Sequence, residues 1–152
     1  MEKRPRKIFL LVEDDPNDAK LVQMEFNRQP GIQLNWVTDG EQAIHYLLGQ
    51  PPPFNQRIAF PLPHVIILDL KMPRMSGFDF LQWLQTEAPE HLRLIPVIVM
   101  SGSDLQKDIV RAYQLGANCY LTKPADWTKF REQLVRIGIF WGELVETPEL
   151  AQ

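Results

Sequence analysis

Polar and apolar residues alternate along this chain in blocks of two kinds. Four short runs rich in Ile, Val and Leu, at Ile8–Val12, Val65–Leu68, Val97–Met100 and Tyr120–Thr122, lack polar interruption, the pattern of strands buried in a parallel sheet. Ile32–Val37, behind the Pro30-Gly31 break, adds a fifth. Between the runs, apolar residues recur at helical spacing. Pro16 suits a first helical turn, and Ala19, Val22 and Phe26 line the helix up to Arg28. Ala43, Ile44, Leu47 and Leu48 follow Asp39-Gly40, and Phe78, Leu81 and Leu84 follow the turn Pro73–Gly77. Asp104 is placed to cap a fourth helix running to Leu115-Gly116, and a last helix begins near Asp126. Five strands alternating with five helices predict an α/β fold with a doubly wound parallel sheet in the order 2-1-3-4-5.

The segment Gly49–Pro63 breaks this rhythm. Prolines at 51, 52, 53, 61 and 63 make it a stiff loop. It reads as a spacer between helix and strand, with a docking surface around Phe54 and Phe60 as the less favoured alternative.

With 152 residues, 45% of them hydrophobic and 23% charged, the chain is expected to form one globular domain burying about two-thirds of its unfolded surface. A formal charge of −3 argues against a nucleic-acid binder that relies on a basic face. The lone Cys119 reads as a buried thiol. The basic start Met1–Lys7 leads into an apolar run too short for a signal core and closed by acids. No segment reaches the length of a membrane span, and the expected location is cytoplasmic.

In an open parallel sheet the carboxyl ends of the strands share one edge, where ligands bind. Glu13-Asp14, Asp69, Ser101 and Lys123 each follow a strand, so carboxylates, a hydroxyl and an ammonium should meet there. Taken singly, each has an ordinary reading: Asp69 as a turn cap, Ser101 as a structural strand end, Lys123 as a solvated charge.

The phrases LLVEDDP, VIILDLKMPRMSG, PVIVMSG and GANCYLTKP, in this order and spacing, resemble the receiver domain of two-component response regulators, a flavodoxin-like fold. The resemblance runs from Lys7 to Phe140, which implies one receiver domain over 1–152 with a core of about 7–140 and an extension at 141–152. It implies that Asp69 is the phosphoacceptor, forming a mixed anhydride by attack on phosphorus. Glu13 and Asp14 would lie beside it, and a hard divalent cation would relieve the mutual repulsion. Mg²⁺ suits such a site, with Mn²⁺ as an alternative, and the backbone carbonyl of Lys71 would add a ligand. Asp15 reads as a helix N-cap rather than a ligand. Ser101 matches the switch hydroxyl, Gly102 leaves room for the phosphodonor, and Lys123 supplies a cation that offsets phosphoryl charge. The Lys123–Pro124 bond is typically cis in the family. Tyr120 occupies the aromatic switch position, against the plain reading of a half-buried tyrosine. His45, His64 and His91 show no metal spacing and read as ordinary.

Too few residues follow the last strand for an effector domain, so the resemblance is to a stand-alone receiver working through protein contacts. Trp127, Phe130, Leu134, Ile137, Trp141 and Leu144 share one stripe of an extended last helix, which reads as its packing face. Ile139, Phe140 and Val145 widen that arc, favouring a homodimer over a tail that folds back. The tail IGIFWGELVETP and the proline-rich loop resemble receivers paired with bacterial phytochrome kinases. The implied partner is a light-sensing histidine kinase, with a non-phytochrome sensor as runner-up. Two other classes compete. A pseudo-receiver would have the fold without the chemistry, which the full residue set opposes. A phosphatase of the haloacid dehalogenase type would need an acid where Lys71 stands.

Overall fold

A computed structural model of the protein describes residues 6–152; Met1–Pro5 of the basic start lie outside them. The strands β1 (Lys7–Val12), β2 (Ile32–Val37), β3 (Val65–Leu68), β4 (Val97–Ser101) and β5 (Cys119–Thr122) alternate with α1 (Pro16–Asn27), α2 (Gly40–Leu48), α3 (Gly77–Thr86), α4 (Gln106–Gln114) and α5 (Trp127–Ile139). All neighbouring strands pair in parallel, in the order β2-β1-β3-β4-β5. This is the sheet that the sequence predicted, in the flavodoxin-like arrangement.

Strand periodicity sorts the core into two layers. Phe9 and Leu11 of β1 point with Val65, Ile67, Ile98 and Met100 to one face, packed by Ala19, Val22 and Phe26 of α1 and by Phe130, Leu134 and Ile137 of α5. Leu10 and Val12 point with Ile66, Leu68, Val97 and Val99 to the other face, covered by α2, α3 and α4. Because both faces are covered, the central strands β3 and β4 are buried along their whole length and carry no polar alternation. Among the described residues, no helix is long and apolar enough to cross a membrane.

Four local features differ from expectation. A 3₁₀ turn at Glu90–Leu94, which the sequence pattern did not indicate, occupies the approach to β4. Asp104 does not cap α4: the cap is Leu105, with no side-chain bond. Instead the hydroxyl of Ser103 accepts from the Leu105 N–H (3.3 Å) and donates to Asp108 (2.6 Å), which ties the loop to the first turn of α4. The terminal stripe is a packing face only in part. Phe130, Leu134 and Ile137 are buried and Trp141 packs against the same core, whereas Trp127 at the start of α5 and Leu144 at the end of the π turn Phe140–Leu144 are exposed. Finally, cis peptides occur at Gln50–Pro51 and Pro52–Pro53, while Lys123–Pro124 is trans. In that ordinary isomer Lys123 N–H already reaches the Ser101 carbonyl at 2.7 Å and its ammonium reaches the acids, so the site forms without the less favoured cis form.

The proline-rich loop is ordered by its own small core. Phe54 and Phe60 pack against Tyr46, with ring centroids 5.6 and 5.9 Å away, so they are not a free docking surface. Arg57 of the same loop donates to the Tyr46 and Leu47 carbonyls at 2.6 and 2.7 Å, satisfying the C-terminal end of α2.

Beyond the π turn the tail folds back across the amino ends of the strands. Lys7 donates to Thr147 (2.6 Å), His64 lies 3.4 Å from Glu149, and Leu62 N–H donates to Gln152 (2.7 Å). His64 also accepts from Ile8 N–H at 3.0 Å through Nδ1, a structural duty in keeping with its ordinary reading. Cys119 is half-buried, and burial pushes its thiol above the usual range.

Candidate functional site

Parallel registry brings the ends of β1 and β3 level. Val12 pairs with Leu68, so the next residues, Glu13 and Asp69, emerge side by side, and Asp69 N–H donates to the Val12 carbonyl at 3.0 Å. Carboxylate oxygens of Glu13, Asp14 and Asp69 lie within 4.8 Å of one another. Glu13 is 1% and Asp69 7% exposed, so their charges share a poorly hydrated space.

Two backbone anchors hold these strand ends. The indole N–H of Trp36 donates to the Glu13 carbonyl at 2.8 Å. Asp69 Oδ1 accepts the N–H of Leu70 at 2.9 Å, which fixes that carboxylate's rotation. Gly77 opens α3 directly against the site. A Cβ there would overlap the Asp69 carbonyl oxygen and stand 2.8 Å from Leu70 Cα, so the close approach of helix and strand end requires glycine.

Across the sheet, Ser101 closes β4 fully buried, and its hydroxyl accepts from Ser103 N–H at 3.2 Å. A side chain at Gly102 would meet nothing within 4 Å. Lys123, just past β5, sends its ammonium to Glu13 Oε2 (2.7 Å) and Asp18 Oδ2 (2.9 Å), with Asp69 Oδ2 at 3.8 Å. Tyr120 is half-buried, and its hydroxyl donates to the Ser103 carbonyl at 2.7 Å, which ties the ring to the β4–α4 loop. The Lys71 side chain is exposed, clear of the acids, two residues beyond Asp69. Asp15 caps α1, accepting from Asn17 N–H at 2.8 Å.

The charges respond to this crowding. Burial, reinforced by the nearby Asp69, pushes the Glu13 carboxyl up to about 7, and Lys123 offsets part of the rise. Burial likewise raises Asp69, against the pull of Lys123. Burial draws Lys123 downward, but the carboxylates of Asp69 and Glu13 outweigh it and hold the ammonium firmly protonated. Burial thus disfavours the charge of both acids, and three carboxylates stand together in a poorly hydrated space. A small divalent cation fits that donor set, replacing repulsion with attraction.

Glu13, Asp14, Asp69, Ser101 and Lys123 therefore all stand at one sheet edge. Asp18, Trp36 and Ser103 also belong there, although the sequence reading passed over them. An acid in the first turn of a helix that starts at the site was the one available signal for Asp18. Trp36 and Ser103 act through backbone geometry and carried none.

Fold and site together define a phosphorylation-type signalling module. The family model for the response regulator receiver domain matches residues 9–135, and the chain belongs to that family. It is 35% identical over 149 residues to response regulator Rcp1 of Synechocystis sp. (strain ATCC 27184 / PCC 6803 / Kazusa), covering 97% of both chains. The structure of Rcp1 in an Mn²⁺-bound form superposes with a TM-score of 0.83 at 33% identity, over 94% of this chain and 99% of that one. The phosphorylated cyanobacterial phytochrome response regulator RcpA superposes at 0.86 with 31% identity, over 95% and 99%. The protein is a response regulator, a signalling switch of two-component systems.

Proposed function

We propose that this response regulator takes a phosphoryl group onto Asp69 from a phosphohistidine of a sensor kinase, catalysing the transfer on its own side chain. The observation that carries this reading is the set of Glu13, Asp14 and Asp69 oxygens within 4.8 Å, with the Lys123 ammonium 3.8 Å from Asp69. In the transfer, an Asp69 oxygen attacks phosphorus as the bond from phosphorus to the histidine nitrogen breaks, and the nitrogen keeps the electron pair. Glu13, Asp14, Asp69 and the Lys71 carbonyl would hold Mg²⁺ or Mn²⁺. When bound, such an ion neutralises charge on the phosphoryl oxygens. Lys123 offsets the charge on the opposite side. Gly102 leaves the donor room, and Asp69 is oriented by its bond to Leu70 N–H.

After transfer, the Ser101 hydroxyl, which here accepts from Ser103 N–H, turns its own O–H to donate to a phosphoryl oxygen. Ser103 also holds Tyr120 through its carbonyl, so the loop and the ring move together. The changed surface is read by other proteins in the cytoplasm, with one receiver core and its extension as the working unit. Exposed Ile139, Phe140 and Leu144, at 44%, 52% and 67%, support self-association as a homodimer through the end of α5.

Likeness over nearly the whole chain to RcpA, a cyanobacterial phytochrome response regulator, favours a phytochrome histidine kinase as donor. Phosphotransfer from a panel of purified kinases, with sizing of the product, tests this. The expected result is fastest labelling by a phytochrome kinase and a dimer-sized product. Preferential labelling by another sensor would reassign the donor, and a monomeric product would remove the dimer.

A pH dependence follows from Glu13. Between the ordinary carboxylate value of 4.5 and about 7, the folded metal-free protein keeps a proton that the unfolded chain has lost. Metal-free stability therefore falls as pH rises through that window. The ion needs the carboxylate, so Mg²⁺ affinity rises over the same window. The increase in Tm on adding Mg²⁺ should be larger at about pH 8 than at about pH 5.5. Equal increases would place Glu13 outside the metal site.

A further inference from the structure

Asp18 stands at the third position of α1, where an acid ordinarily folds back to accept the N–H of the capping residue. Helix α3 has that reciprocal arrangement: Ser76 Oγ accepts from Asp79 N–H and Asp79 Oδ2 from Ser76 N–H, both at 3.2 Å. Helix α1 lacks the second half. The N–H of its cap, Asp15, donates to Glu13 Oε1 at 3.1 Å. The Asp18 carboxylate turns instead to Lys123 Nζ, 2.9 Å away. A helix-starting acid has thus been released from capping and applied to the cation of the site.

The release matters because Glu13 cannot serve two cations equally. Lys123, its side chain only 12% exposed, has acceptors at Glu13 (2.7 Å) and Asp18 (2.9 Å), while Asp69 stands further off at 3.8 Å. A divalent ion drawing in the Glu13 carboxylate weakens the first of these bonds and repels the ammonium. Asp18 lies outside the group of Glu13, Asp14 and Asp69 that could share such an ion, so its hold on Lys123 survives metal binding. From there, a shift of about 1 Å brings the ammonium into charge-assisted hydrogen-bond range of Asp69 or a phosphoryl oxygen on it.

We infer that Asp18 is a positioning residue, which keeps the Lys123 ammonium beside Asp69 once metal has engaged Glu13. This rests on the reading of Asp69 as phosphoacceptor. With acetyl phosphate as donor, an Asp69 oxygen bonds to phosphorus while the phosphorus–oxygen bond to acetate breaks, and acetate leaves with the electron pair. Lys123 acts on the charge of the phosphoryl oxygens, and Asp18 acts only through Lys123.

The test is the rate of Asp69 phosphorylation by acetyl phosphate at saturating Mg²⁺ in the full chain, Asp18→Asn, Asp18→Glu, Lys123→Met and Asp18→Asn/Lys123→Met. Asp18→Asn should slow the reaction about fivefold, as expected for coupled neighbours. Asp18→Glu should recover most of that loss. In the Lys123→Met background, Asp18→Asn should change nothing further. An unchanged rate in Asp18→Asn, or an equal loss in both backgrounds, overturns the inference while leaving the phosphoacceptor reading intact. Failure of the unaltered chain to take up phosphoryl at all overturns that underlying reading instead.

Discussion

Asp69→Asn should take up no phosphoryl group from acetyl phosphate and Mg²⁺, under conditions where the unaltered chain gains one by intact-mass measurement. The amide is nearly isosteric, but it lacks the anionic oxygen that must attack phosphorus. It should also weaken Mg²⁺ binding, because one of three clustered carboxylates is lost. Folding should not suffer. Burial is the largest influence on the Asp69 carboxyl and disfavours its charge, so a neutral side chain removes a desolvation cost while still able to accept the Leu70 N–H. The expected pattern is therefore a complete loss of modification with a metal-free Tm equal to or above that of the unaltered chain. A phosphorylated Asp69→Asn chain would mean that another residue accepts the group.

Lys123→Met should slow phosphorylation at saturating Mg²⁺ on the order of a hundredfold or more, the scale seen when a preorganised charge partner of a transition state is removed. Methionine keeps the length and apolar stem of lysine, so the nearly buried position stays filled. What disappears is the ammonium 3.8 Å from Asp69 and its bond to Glu13 at 2.7 Å. Without that cation, Glu13 and Asp69 should hold protons to higher pH, because Lys123 lowers both. The variant is therefore expected to need a higher pH to reach its maximal rate. A rate within about threefold of the unaltered chain would show that Lys123 serves only to neutralise the acids at rest.

These expectations depend on residues from four separate stretches of sequence, and most of the arrangement could be anticipated from the chain. Buried parallel strands are covered on both faces, so Val65–Leu68 and Val97–Met100 are uninterrupted apolar runs that stand out without a structure. The shared sheet edge then follows from topology, and with it the meeting of Glu13, Asp14, Asp69, Ser101 and Lys123. Illegible features depended on side-chain competition. Asp104 looks like the cap of α4 in sequence, yet the helix starts from Leu105 without a side-chain cap, and Ser103 instead ties the loop to Asp108. Phe54 and Phe60 look like an exposed aromatic pair in sequence, yet Tyr46 lies close enough to absorb both. The stripe on α5 followed helical spacing through Phe130, Leu134 and Ile137, but its first member Trp127 is exposed and a π turn changes the period at Phe140, which spacing alone cannot reveal. Asp18 was hidden for a similar reason, since its ordinary duty at a helix start had been taken over by Glu13.

The account rests on buried acids gathering a divalent ion so that one of them can capture phosphorus. Reaction of the full chain with acetyl phosphate, with Mg²⁺ or with a chelator, followed by peptide mapping of the acyl phosphate, tests this most directly. The account predicts label confined to the peptide carrying Asp69, and none once the ion is removed. Label on another residue, or equal label in the presence of chelator, would contradict it.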